Sequence, residues 1–183
     1  MSKPQMTQIT PIWNFDPAYT TVEFVVRNLW YNVKGRFRTT EGTIMLDADD
    51  IRRSSVQASI KAASIETGNQ RRDARLRRTE FLDVEKFPDI EFKSTRVQRG
   101  KDRDSLDVDG TLTVKDKSVP IALAVNEMDR SRSPNGEEFV YYSATADVDR
   151  FAFGINYGRG FIGRRLKVTI NVQASNKPKV RRS

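Results

Sequence analysis

The segment Ser105–Val125, SLDVDGTLTVKDKSVPIALAV, alternates apolar and polar residues on both sides of a short charged turn. Its apolar residues recur at every second position, which places them on one face of a β-strand. Lys115–Ser118 separates the two apolar runs by few enough positions for the strands to pair as a hairpin. One apolar and one polar face per strand is typical of an antiparallel sheet with one side in water. The segment therefore predicts an all-β fold.

The same alternation recurs along the chain on both sides of this hairpin. It is clearest around residues 21–26, 55–61, 140–148 and 168–173. The runs give about eight strands, which is a number at which an antiparallel sheet can close into a barrel. No internal repeat or change of composition divides the chain. We expect a flexible N-terminus over residues 1–11, one barrel domain over residues 12–174, and a disordered basic tail over residues 175–183.

One segment between strands has helical rather than alternating character. Thr67 and Gln70 have the spacing of a capping box, and the RRDARLRRTEF that follows is rich in helix formers. Pro88 should end a second short turn, because the residue before a proline is pushed out of helical geometry. The sequence thus predicts a short helical insertion around residues 69–87.

The basic character of the chain favours an anionic partner. The net charge is +8, and five arginines fall between residues 71 and 78. Only Leu76 offers apolar surface on that helix, whereas an interfacial membrane helix needs a broad apolar stripe. No aromatic stacking surface is interleaved with the arginines, which disfavours nucleic acid. A solvated helix face and a basic module for anionic membranes or nucleic acid remain the two interpretations of this cluster.

The composition excludes the common catalytic and metal-binding chemistries. The chain contains no histidine and no cysteine, so zinc sites built on these ligands, Ser-His-Asp triads and Cys-His dyads cannot form. No clustered carboxylates suggest a metal site. We therefore expect a non-enzymatic protein with no metal and no cofactor.

The inner face of the predicted barrel mixes bulky and small residues. Large side chains such as Phe24 and Phe92 share it with Ala58, Ala144 and Ala146. An eight-stranded barrel is either just filled by side chains or just wide enough for one small ligand. The small residues leave room for a ligand, but a small-large alternation also fits a solid, tapered core. Periodicity alone leaves both alternatives open.

Several segments in order closely resemble the YceI family and span roughly residues 13–174. They are WNFDPAYTTVEFVVRN, VKGRF, GTI, SIETGNQRRDARLRRTEFLDVEKFPDIEFKST, VDGTLTVKDKSVPIALAV and VDRFAFGI. The block over residues 64–95 is the most specific, since it joins Thr-Gly, Arg-Asp, Phe-Leu-Asp-Val and Phe-Pro-x-Ile-x-Phe in one tract. The resemblance implies an extended eight-stranded antiparallel lipocalin-like barrel with a helical insertion after a strand.

The resemblance also implies a function. Members of the family are taken to bind long isoprenoid chains, such as polyprenyl phosphates or quinones, in an apolar channel through the barrel. They are seen as binding or carrier proteins and are often dimeric, so the resemblance allows a homodimer. An alkyl chain gains roughly 0.8 kcal/mol per buried CH₂ group, which would explain why no polar catalytic constellation is needed. A transient contact with anionic membranes stays open.

These expectations assign residues to the channel and to its mouth. The expected lining residues are Phe24, Val26, Phe37, Ile60, Phe92, Leu112, Leu123, Tyr142, Phe151 and Phe153, with Phe81, Leu82 and Phe87 nearer the mouth. Arg72 and Arg75 are expected to meet a ligand phosphate or a membrane headgroup there.

The chain departs from the family pattern at three positions and in one loop. The family commonly has histidine where this chain has Tyr19, Asn28 and Arg75, and it often has a longer loop where this chain has NYGRGFIGRRL. The N-terminal MSKPQMTQITPIW has one lysine but no continuous apolar run after it. It therefore does not have the pattern of a secretory signal. We expect a cytoplasmic location, or a periplasmic one if a signal has been removed.

Overall fold

The computed structural model describes residues 10–176. These residues form eleven antiparallel strands. They are β1 (Ile12–Phe15), β2 (Thr21–Asn28), β3 (Asn32–Phe37), β4 (Thr40–Met45), β5 (Ser55–Lys61), β6 (Ile65–Glu66), β7 (Asp89–Arg99), β8 (Ser105–Val114), β9 (Lys117–Arg132), β10 (Glu138–Asp149) and β11 (Ile162–Asn176). One α-helix, α1 (Gln70–Leu76), and 3₁₀ turns at Ile51–Arg53, Ala62–Ser64 and Arg150–Phe153 complete the described elements.

Eight of the strands close into a barrel, as the sequence predicts. The order around the ring is β1-β4-β5-β7-β8-β9-β10-β11, and β11 pairs again with β1. β2 and β3 pair with each other and extend the wall beside β11, and β6 pairs with β3. The chain is thus an all-β antiparallel barrel of the lipocalin-like type with very little helix.

Alternation fixes which side chains enter the barrel. In β2, Val22, Phe24 and Val26 are buried and the residues between them face outward or are half-buried. In β10, Val140, Tyr142 and Ala144 do the same. The interior forms three packed apolar clusters, one at each end and one in the middle. The strands thus bring the inward faces together around one axis.

The two ends of the barrel differ. One end, here called the helical end, carries α1, the β2–β3 turn, the β8–β9 turn and the 154–161 loop. The opposite end is filled by Trp13, Leu46 and Tyr142, with Ile51 packed against them. The helical end is therefore formed largely by loops and turns, while the opposite end is closed by large side chains.

The helical insertion lies where the sequence predicts it, but its N-cap differs. Asn69 has extended backbone angles, and its side chain accepts a hydrogen bond from the Arg72 amide at 3.0 Å. Thr67, the predicted cap, instead donates its amide and hydroxyl to the buried carboxylate of Asp73. α1 ends at Leu76, and turns continue the insertion to Phe87.

The predicted termini fall largely outside the described residues. Pro11 accepts a hydrogen bond from the Leu46 amide, so Pro11 lies against the wall. β11 runs through Ser175 and Asn176, which pair with Phe139 and Glu138. β11 thus includes the first two residues of the predicted tail, and the rest of that prediction, residues 177–183, lies outside the described residues.

Candidate ligand-binding cavity

An apolar cavity of about 600 Å³ lies inside the barrel. This volume is within the ~300–1,000 Å³ range of sites that hold one small organic ligand. Among its lining residues, the exposed ones are Tyr31, Arg71, Arg75 and Tyr157. All four belong to the helical end. The cavity therefore opens at that end, and the side chains that line its depth are almost all apolar.

Eleven of the thirteen predicted channel residues line this cavity. They are Phe24, Val26, Phe37, Ile60, Phe81, Leu82, Phe92, Leu112, Leu123, Tyr142 and Phe153. Most of them share the inward phase of the strand alternation. The exceptions are Phe81, Leu82 and Phe153, which lie outside the strands and are buried in the apolar cluster at the helical end.

Phe87 and Phe151 are the two predicted lining residues that lie outside the cavity. Phe151 follows the end of β10, where a 3₁₀ turn replaces the period of two and rotates the ring away from the lumen. Its ring instead meets the guanidinium groups of Arg150, Arg159 and Arg164 at 4.6–5.6 Å. Phe87 is half-buried, and the ammonium group of Lys86 lies over its ring at 5.2 Å.

Glycines let bulky rings lie against the barrel wall. A Cβ atom on Gly35 would come within 2.3 Å of Cζ of Phe24, its cross-strand partner. A Cβ on Gly110 would come within 2.4 Å of Cζ of Phe92. The outer edge of each ring therefore covers a neighbouring glycine instead of projecting across the barrel. This packing explains how a barrel with large inward residues keeps an open interior.

The structure adds lining residues that the sequence assignment omitted. Most of them continue the inward alternation of strands that were already recognised, so periodicity could have found them. They include Val22, Ile44, Val108, Ile121, Val168 and Ile170. Ile51 begins a 3₁₀ turn and Ile155 lies in the 154–161 loop, so no strand period could have placed them.

The mouth of the cavity is cationic. Arg71, Arg72 and Arg75 all line it. Arg72 is held in place, since its Nε donates to the Thr67 hydroxyl at 2.7 Å and its Nη2 to the Thr67 carbonyl at 2.9 Å. The Arg75 guanidinium lies 4.3 Å from the centre of the Tyr157 ring and also donates to the hydroxyl of Tyr157.

Arg71 is the mouth residue that the sequence assignment missed. Its side chain is exposed and makes no ion pair or hydrogen bond within residues 10–176. It shares a helix face with Arg75, a signal already present in the spacing of the two residues. Of the three mouth arginines, Arg71 is thus the one whose guanidinium is available to a ligand without breaking another contact.

A buried arginine shapes the loop beside the mouth. Arg150 is 5% exposed, and it donates to the carbonyl oxygens of Ile155, Tyr157, Ile162 and Gly163 at 2.7–2.9 Å. Burial lowers the pKa of its guanidinium below the ordinary value for arginine, yet arginine stays charged in proteins. Arg150 therefore holds the 154–161 loop and the first residues of β11 in place and adds positive charge at the mouth.

The closed end contains a buried phenol. Tyr142 is 8% exposed, and its hydroxyl donates to Glu127 at 3.2 Å. Burial, followed by the charge of Glu127, raises the pKa of Tyr142 to about 12. The hydroxyl is therefore neutral at ordinary pH, as expected for a side chain lining an apolar cavity.

The three positions where the family pattern has histidine separate in space. Asn28 and Arg75 line the cavity mouth, while Tyr19 is exposed on the loop between β1 and β2. Within residues 10–176, no three carboxylate side chains are grouped closely enough to hold a metal ion. In the same residues, no helix has the length and apolar character needed to cross a bilayer.

A closed antiparallel barrel around an apolar cavity defines a lipocalin-like protein. Comparison with known proteins makes the assignment more specific: a YceI-like domain is recognised over residues 13–174. The chain therefore belongs to the YceI family.

Relatives agree with this assignment. Protein YceI of Salmonella arizonae is 30% identical over 153 residues, covering 83% of this chain and 79% of that protein. The crystal structure of the Campylobacter jejuni YceI protein is 26% identical, with a TM-score of 0.70 over 81% of this chain and 87% of that one. A polyisoprenoid binding domain from Saccharophagus degradans shares the fold, with a TM-score of 0.66 and 15% identity over 90% of this chain and 98% of that domain.

Proposed function

We propose that this chain is a non-enzymatic binding protein that holds a long-chain isoprenoid lipid, of the polyprenyl phosphate or quinone type, in its cavity and carries it. The observation that carries the proposal is a cavity of about 600 Å³ with apolar walls and an opening lined by three arginines of α1. This arrangement matches an amphiphile whose chain lies inside and whose polar end lies at the mouth. The similarity to a polyisoprenoid binding domain supports the same ligand class.

The size of the hydrophobic effect favours a long chain over a short one. Micromolar affinity corresponds to about −8 kcal/mol, and association costs roughly 4–15 kcal/mol. At about 0.8 kcal/mol per buried CH₂ group, a ligand held by apolar contact alone must bury on the order of 15–30 carbon atoms. Short alkyl chains and single isoprene units therefore bind weakly, whereas a chain of several isoprene units binds well.

The mouth favours a polar end that accepts hydrogen bonds. Arginine donates to phosphate in a planar, bidentate geometry, and Arg71 is available for such a contact. Quinone carbonyls also accept hydrogen bonds, but they carry no charge. A phosphate therefore gains more from this mouth than a quinone does.

Charge reversal at the mouth tests this assignment of the polar end. R71E together with R75E should weaken uptake of a polyprenyl phosphate from detergent solution by tenfold or more, and should change uptake of a quinone with the same chain length much less. R78E is the matched control, because Arg78 lies on the same insertion and does not line the cavity. If R71E/R75E takes up the polyprenyl phosphate as well as the wild type and R78E do, the polar end of the ligand does not bind at this mouth.

The remaining partner and location assignments rest on the sequence. The homodimer allowed by the family resemblance and the cytoplasmic location stay predictions. Sedimentation of the purified protein measures the first, and fractionation of cells expressing the full-length protein measures the second.

A further inference from the structure

Exposed apolar side chains gather around the mouth of the cavity. Five of the nine large apolar side chains that are exposed between residues 10 and 176 belong to two adjacent loop tips. These five, here called the mouth rim, are Leu29, Trp30, Tyr31, Tyr157 and Phe161. Trp30 is 88% exposed and Phe161 is 64% exposed. Isolated apolar residues on a surface are ordinary, but a contiguous patch marks an interaction site.

Backbone contacts hold the two tips of the rim side by side. The amide of Leu29 donates to the carbonyl of Phe161 at 3.1 Å across the two tips, while the amide of Asn28 donates to the carbonyl of Tyr31 at 2.7 Å within the first tip. Ile162 pairs with Asn28 in the ladder between β11 and β2. Because the tips are tied together, their side chains form one surface. Tyr31 and Tyr157 belong both to this rim and to the lining of the cavity.

The segments that carry the rim are strongly basic. Residues 24–40 and 150–168 together contain nine lysines and arginines and no acidic residue. Glu66 pairs with Arg36 and Arg38, and Asp149 pairs with Arg164. Arg27 and Arg159, which flank the two tips, are exposed and have no carboxylate partner within the described residues. An apolar rim is thus surrounded by uncompensated positive charge.

Aromatic tips beside cations match the surface of an anionic bilayer. Tryptophan and tyrosine prefer the membrane–water interface, and each Lys or Arg near an anionic leaflet adds further attraction. A second copy of this chain fits less well, because a symmetric contact would bring the same arginines against each other. We propose that the mouth rim docks on the surface of an anionic lipid bilayer.

Docking in this position would serve lipid transfer. The rim borders the opening of the cavity through Tyr31 and Tyr157, so an apolar chain could pass between bilayer and barrel without first crossing water. This part of the inference rests on the proposed lipid-binding function, whereas docking itself does not. Different experiments can therefore contradict the docking proposal and the proposed lipid-binding function.

Trp30 is a built-in reporter of docking. The chain has two tryptophans; Trp13 is 3% exposed within the closed end, so only Trp30 can move from water to lipid. We expect a blue shift of tryptophan emission on titration with vesicles of equimolar phosphatidylcholine and phosphatidylglycerol. With vesicles of phosphatidylcholine alone we expect a much weaker response. W30F should remove the shift while leaving vesicle binding largely intact.

Vesicle co-sedimentation of substituted proteins tests whether the rim, and no other part of the surface, binds the bilayer. W30S with F161S should lower affinity for the mixed vesicles by tenfold or more. R27Q and R159Q should each lower it about fivefold, equivalent to about 1 kcal/mol per charge. The matched controls are Y19S and R103Q, which change an exposed aromatic residue and an exposed arginine away from the rim and should leave affinity unchanged. Thermal melts check that every variant is folded.

Each outcome of these experiments either supports or contradicts the docking proposal. Unchanged vesicle affinity in W30S/F161S, or an equal loss in the control variants, would overturn the docking proposal. Sedimentation of the wild type as a dimer that W30S/F161S dissociates, without vesicle binding, would assign the rim to a second copy instead. If vesicles do not bind but the cavity fills from detergent solution, docking is wrong and the proposed lipid binding stands. If vesicles bind through the rim but the cavity never fills, docking stands and the proposed lipid binding is wrong.

Discussion

Ala144→Leu distinguishes an open channel from a filled core. Ala144 is in the middle of β10, and its side chain faces the cavity. The substitution adds three carbon atoms, which gain up to about 2.4 kcal/mol when buried at about 0.8 kcal/mol each. Fixing the leucine side chain offsets about 0.5–1 kcal/mol of this gain. In an open cavity the free energy of unfolding should therefore rise by roughly 1.5 kcal/mol.

Ala174→Leu is the matched control. Ala174 is fully buried against Trp13 and Val140 and does not line the cavity. Overpacking of a filled core costs about 1–3 kcal/mol, so the same substitution here should lower the free energy of unfolding. With a urea m-value of about 2 kcal/mol/M, the midpoint should move up by roughly 0.7 M for A144L and down by a similar amount or more for A174L.

Urea denaturation followed by circular dichroism measures both shifts, and lipid uptake is measured on the same samples. A144L should also bind a long-chain lipid less well than the wild type, because the leucine occupies part of the lumen. A loss of stability in A144L as large as that in A174L, with m unchanged, would refute the open cavity.

Three further predictions follow from the packing. G35A should reduce lipid uptake, because the new Cβ would start 2.3 Å from Phe24 and must push that ring about 1 Å into the lumen; unchanged uptake in a binding titration would contradict this. R150M should cost about 3 kcal/mol or more, because it leaves four buried or partly buried carbonyl groups without this donor, and should speed proteolysis of the 154–161 loop; a melt equal to wild type argues against it. Tyr142 should ionise near pH 12 in ultraviolet difference spectra, and because its pKa is raised in the folded state, stability should fall as pH rises above about 10, an effect that Y142F should remove.

The sequence predicted the barrel well because its determinants are local. The alternation in β2, β8 and β10 fixes which residues face inward, and the structure confirms an eight-stranded closed ring. Ring closure itself depends on β1, a four-residue strand that pairs with both β4 and β11. Such a short strand carries no detectable period, so closure was inferred from strand number and not from the strand that makes it.

The open interior was harder to predict, since it depends on contacts between strands. The size of the Phe24 and Phe92 side chains suggests that they fill the barrel. Each ring, however, lies over a glycine of a neighbouring strand. Periodicity assigns a face to each residue and says nothing about how a ring tilts. Phe151 lies outside the cavity for a related reason: a 3₁₀ turn that begins at the preceding residue ends the strand alternation.

The arginines at the mouth could not be told apart by composition. The sequence gives no reason to distinguish the five arginines of residues 71–78, but in the structure their side chains make different contacts. Arg72 and Arg77 donate to backbone carbonyl groups that secure the insertion, while Arg71 is left available at the opening. Arg150, isolated in sequence, is the most buried charge within residues 10–176 and could not have been found from a charge run.

Lipid extraction from the purified protein tests the central claim most directly. Organic extraction followed by quantitative mass spectrometry should recover a long-chain isoprenoid lipid at close to one molecule per barrel. After removal of that lipid, the wild type should take up a polyprenyl phosphate or a quinone from detergent solution, and A144L should take up less. Protein that yields no lipid and also binds neither compound would contradict the assignment of this cavity as an isoprenoid site.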